Sequence, residues 1–189
     1  LYWQLLDNKS GNSNADDRQN LLEKIIKIIG KNRIDFIVGD REFVGKKWIS
    51  YLKNNDIPFC MRIPKNHYIT LKNGQVFTPE NLLEKKTERY FCNCIVDGTR
   101  CNVMIKKLHK EECLILIGDF FPKKLGQIYK QRWCIEVLFQ NFKARGFNLE
   151  DTHLKCNEKL SKLLVFVSIA VGFCTCFGEY LQKKVHKTK

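Results

Sequence analysis

The sequence predicts an α/β fold in which crossover units lead into a hairpin-rich β segment and then into two long helices. Three observations carry this. Short apolar runs alternate with helically spaced apolar residues up to residue 63, as crossover units require. Asn73-Gly74 and Asp97-Gly98 each separate strand-like runs, as tight hairpin turns do. From residue 124 onward the apolar spacing turns helical again.

Each element follows from local chemistry. Residues 1–7 read as a strand, and 8–14 as a polar turn rich in Asn, Ser and Gly. Asp16 or Asp17 is expected to cap a helix through Leu21, Leu22, Ile25, Ile26, Ile28 and Ile29, closed by Gly30. Residues 34–38 form the next strand, which ends at Gly39-Asp40-Arg41-Glu42. A helix over 46–55 and a strand over 57–63 complete the crossovers, so Asp40 stands at a strand's carboxyl end, where sites collect in such sheets. The segment 65–119 reads as β-rich, with strands expected at 68–71, 76–77, 90–96, 99–107 and 114–117. A two-residue turn at Asp97-Gly98 sets Cys94 opposite Cys101, with Cys92 on the face of Cys94. These three with His109 or Cys113 are zinc-capable, but Cys-x-Cys departs from the usual knuckle spacing and favours core packing. A single helix is expected over 124–145, ended by Gly146, and a packing helix over 159–182. The uncharged run 163–178 is shorter than the roughly 20 residues of a membrane span, so a buried helix is expected and no membrane partner.

Composition bounds the function. The chain has 189 residues, 44% hydrophobic and 28% charged, enough to fold as one domain over 1–189. Lysine and arginine number 33 against 20 acids, a net charge of +13 that draws polyanions by counterion release. Nine cysteines without regular spacing argue against a disulfide framework and for the cytoplasm. No phosphate-cradling glycine loop, His-Glu-x-x-His or serine nucleophile elbow is present. The opening residues lack an initiator Met and start within an apolar run, so the domain is expected to be N-terminally incomplete.

The most informative stretch runs from Tyr129 to Lys143. On one helix, Tyr129, Arg132, Glu136 and Lys143 share a stripe roughly 60° wide, which sets a carboxylate between cations beside an apolar face. With Asp40, that makes two carboxylates in a basic chain, a donor set that suits hard cations and phosphoryl transfer. The spacing Tyr129-x2-Arg132-x3-Glu136-x6-Lys143 resembles the Y-R-E-K signature of the bacterial insertion-sequence DDE transposases of the IS-four branch, and Asp40-Arg41-Glu42-Phe43 resembles that family's second-aspartate motif.

The resemblance implies a ribonuclease-H-like core with a β-rich insertion, its first strand or strands missing here. It also implies magnesium-dependent cutting and joining of double-stranded DNA, with Mn2+ as a substitute ion, and a homodimer. By position, Asp40 and Glu136 are the catalytic metal ligands, while Arg41, Tyr129, Arg132 and Lys143 contact DNA. The family's first aspartate falls upstream of residue 1. Asp7 is read as a turn residue and Glu42 as pointing away from the metal. The alternative is an inactive truncated remnant that binds DNA without cutting it.

Overall fold

The computed structural model describes residues 2–3, 5, 13–83, 85–108, 112–143, 148–154 and 156–186. The chain divides into two compact units, residues 8–133 and residues 1–7 with 134–189.

In residues 8–133 a seven-stranded mixed sheet is built from β1 (Ile37–Gly39), β2 (Phe59–Arg62), β3 (Ile69–Thr70), β4 (Val76–Phe77), β5 (Glu88–Val96), β6 (Thr99–Lys107) and β7 (Cys113–Gly118). Its order is β1-β2-β7-β6-β5-β3-β4. Parallel β1 and β2 are joined through helix α2 (Lys46–Asn54), the expected crossover, and every other strand pairing is antiparallel. The segment 65–119 thus supplies strands to the same sheet, and β7 lies between β2 and β6.

Strand alternation sorts the sheet's two faces. Phe59, Met61, Ile63, Val103, Ile105, Ile115 and Ile117 point to the side covered by α1 (Ala15–Ile29), α2 and α3 (Pro79–Leu83). Cys60, Met104 and Leu116 point to the other side and pack with Leu125 and Tyr129 of α4 (Pro122–Lys130). The hairpin turn is as expected, with Asp97 and Gly98 at φ 51° and 76°, and Cys94 faces Cys101.

The second unit holds α5 (Trp133–Lys143, whose first residue belongs to the sheet unit) and α6 (Asn157–His186). α6 extends beyond its expected bounds. Its segment Asn157–Lys184 is long and apolar enough to cross a membrane by length and composition. Burial was expected of this helix and is not found: Phe166, Phe173 and Phe177 are exposed, and Val167 is its one fully buried hydrophobic residue among those described. A helix apolar around most of its circumference has no single stripe that one packing surface can cover.

Other local expectations change for identifiable reasons. The cap of α1 is Asn14, whose side chain accepts from the Asp17 amide while the Asp17 carboxylate accepts from the Asn14 amide. β1 starts at Ile37 because residues 31–33 form a 3-10 turn. A bulge between Phe91 and Cys94, with Asn93 at φ 55°, turns Cys92 out to solvent while Cys94 is buried. Tyr2, Trp3 and Leu5 lie in no strand, and the rest of the expected 1–7 strand, Asp7 included, lies outside the described residues, as do His109 and Gly146.

Candidate active site

The one long helix expected over 124–145 is two. α4 ends at Lys130, and the Gln131 and Arg132 amides donate to the carbonyls of Ile128 and Tyr129, a tightening to i−3 bonds that stops the α-helix before α5 begins at Trp133. The four-residue stripe therefore does not exist as a continuous face. Tyr129 and Arg132 belong to the sheet unit, Glu136 and Lys143 to the other.

Asp40 follows β1 directly. A Cβ on Gly39 would meet the Met61 sulfur at 2.5 Å and the Phe43 Cβ at 2.8 Å, so only glycine lets the chain turn this closely against β2. Asp40 then caps the 3-10 turn Arg41–Phe43, its Oδ1 accepting from the Arg41 amide at 2.7 Å. Arg18 of α1 pins this turn, donating to the Glu42 carbonyl at 2.6 Å and lying 4.9 Å from the centre of the Phe43 ring.

α4 and the turn that follows it bring two groups to the same carboxylate. The Tyr129 hydroxyl donates to Asp40 Oδ1 at 3.2 Å, and Arg132 Nη1 lies 3.8 Å from Oδ2. The Arg132 guanidinium also lies 5.3 Å from the centre of the Tyr129 ring. Partial burial works to raise the Asp40 pKa. The Arg41 amide, the Tyr129 hydroxyl and the charges of Arg132 and Arg62 outweigh it and hold the carboxyl below its ordinary range. Burial and the Asp40 charge push the Tyr129 phenol up, so it keeps its proton and donates.

Arg62 is a member of this group that the sequence reading passes over. It ends β2 on the α4 side of the sheet, its side chain is 15% exposed, and Nη2 pairs with Glu112 Oε1 at 2.6 Å. The signal was present: an arginine within the otherwise apolar strand Phe59-Cys60-Met61-Arg62-Ile63 has to serve a polar purpose.

The structure thus brings together Asp40, Tyr129 and Arg132, with the Arg41 backbone, while the Arg41 side chain is exposed. Glu136 and Lys143 lie on α5, two turns apart and on one face of it. Among the described residues no three His, Cys, Asp or Glu side chains cluster. Asp40, ionised and partly exposed, fits as one hard oxygen donor for a divalent cation, and its remaining ligands have to come from elsewhere.

Comparison with known families identifies the class of domain. The transposase DDE domain matches residues 3–173, most of the chain. The chain belongs to that family, and its mixed sheet with flanking helices agrees with the ribonuclease-H-like fold of such domains. A search of curated proteins finds no match. A transposase role and DNA as partner follow from membership.

Proposed function

We propose that the protein cuts and joins DNA strands during transposition, as an insertion-sequence transposase of the IS-four branch. The observation that carries this is the ionised Asp40 carboxylate at the end of β1, held by Tyr129 and Arg132 at the signature spacing. Asp40 and Glu136 are the residues that would hold magnesium or manganese. Such ions supply hard positive charge that activates an attacking oxygen and stabilises a leaving one.

The chain's own groups do the rest. Arg132 is a fork of donors suited to a phosphodiester, and Tyr129 offers a hydroxyl that burial keeps protonated. Arg41 beside Asp40, and Lys143 on the face of Glu136, add phosphate contacts that position the backbone without reading bases. The family match runs through residue 173 and so takes in more than half of α6, which supports a domain helix in a cytoplasmic protein over a membrane anchor. We read 1–189 as one catalytic domain, with 65–119 as its insertion, α6 as its C-terminal helix, and a homodimer as the working state.

The test is relaxation of supercoiled plasmid DNA. The 189-residue chain should nick it with Mg2+ and lose activity to background with EDTA, with Asp40→Asn or with Glu136→Gln, while both variants still bind DNA. Full nicking by Glu136→Gln would refute the assignment. DNA binding with no nicking by the unaltered chain would establish the non-cutting remnant instead.

A further inference from the structure

We infer that the outward face of α4 is a DNA-backbone track leading to Asp40, built from Lys123, Lys124 and Lys130. The inference rests on the proposed DNA role and extends it to residues outside the signature. α4 buries Pro122, Leu125 and Tyr129 and exposes Lys123, Lys124, Gln127 and Lys130, so one helical face is core and the other cationic. The helix Pro122–Lys130 has no Asp or Glu, and among the described residues none of these three lysines makes an ion pair.

Stability does not account for the arrangement. Lys123 and Lys124 stand in the first turn, where the helix dipole disfavours cations and favours anions, and no side chain caps that end. A solvated lysine face usually alternates with acids, whereas here the charge is of one sign and points one way. Asp119, four residues before Lys123, pairs with Lys53, and Glu88 stands two residues before Tyr90 on β5. Glu88 bonds the Tyr90 hydroxyl, and the Lys123 ammonium lies 6.0 Å from the centre of the Tyr90 ring.

The geometry fits a nucleic-acid strand. α4 packs against β5 at its start and reaches Asp40 with Tyr129 at its end, so it crosses the sheet toward the candidate site. From Lys123 to Lys130 the helix rises about 10.5 Å, roughly three phosphates of one strand at about 3.4 Å each along the duplex axis. Arg132, two residues beyond Lys130, lies 3.8 Å from the Asp40 carboxylate, so the end of the lysine face is close in sequence to the candidate site. The partner is therefore duplex DNA entering over α4, gripped by its phosphates.

The experiment measures binding of a fluorescent 30-bp duplex by anisotropy between 50 and 200 mM salt. The variant K123Q/K124Q/K130Q is compared with K27Q/K72Q/K86Q, which removes the same charge from exposed positions elsewhere. Three lost phosphate contacts should reduce the slope of log K against log salt by about 2.7 in the first triple, and by less than about 1 in the second. Equal changes in the two triples, or an unchanged slope in the first, would overturn the track. If Arg132→Gln still weakens binding in that case, the DNA role survives and only the track falls. No binding by the unaltered chain at 50 mM salt would overturn both.

Discussion

Residues 8–133 and residues 134–189 are both rich in large apolar side chains, yet they use them differently. In the first region alternation hides one apolar set on each face of the sheet, and Phe59, Ile105, Leu116 and Leu125 are fully buried. In the second, α5 buries none of its residues, and α6 leaves Phe173 74% exposed. The lesson is that apolar content states how much surface is available for burial, whereas periodicity and neighbours decide whether it is buried. Of the residues singled out by the signature spacing, Asp40, Tyr129 and Arg132 belong to the first region and Glu136 and Lys143 to the second.

The largest test of that contrast is stability. Ile105→Ala removes a fully buried side chain from the middle of β6 and should cost about 2–5 kcal/mol in urea unfolding. Phe173→Ala on α6 should change it by no more than about 0.5 kcal/mol. Equal losses would erase the distinction.

Thiol chemistry sharpens it residue by residue. Burial pushes the Cys60 and Cys101 thiols up to about 12 and Cys94 to about 11, so these three should resist alkylation in the folded protein at pH 8. Cys134, Cys156, Cys174 and Cys176 in the second region, and Cys92 at the bulge, are exposed and should label first, as peptide mass mapping would show.

Smaller effects are expected at the site. Tyr129→Phe removes one hydrogen bond to a carboxylate that keeps the Arg41 amide and Arg132, and should cost about 1 kcal/mol in the same unfolding assay. The smallest effect is the pH dependence of Asp40. Its folded pKa is lowered, so its contribution to stability is complete above the ordinary carboxylate range and is lost as pH falls through the lower folded value. In metal-free buffer, Asp40→Asn should therefore flatten the acid limb of the stability profile and leave its slope near neutrality unchanged.

Legibility followed range. The crossover from β1 through α2 to β2, the Asp97-Gly98 turn and the Cys94–Cys101 pairing were readable because each depends on neighbours in sequence or on a two-residue turn. The break after Lys130 was not, since Tyr129, Gln131 and Arg132 are all compatible with a continuous helix. There the i−3 bonds at Gln131 and Arg132 accompany the reach of Tyr129 and Arg132 to Asp40, on a strand end far away in sequence. Arg62 was missed for the same reason, because its relation to Asp40 runs across the sheet. The Cys92 side was misread because a bulge adds one residue to β5 and reverses the alternation locally.

By itself, then, the sequence determined the family, the positive charge, the β1–α2–β2 crossover with the hairpin that follows, and Asp40 at a strand end, all properties of residue type and spacing. Tertiary structure alone decided that β7 enters the middle of the sheet, that α4 stops where its last turn meets Asp40, and that Arg62 joins the group. Those outcomes depend on which distant groups meet, and a partly buried carboxylate takes its partners from whatever the packing brings within reach.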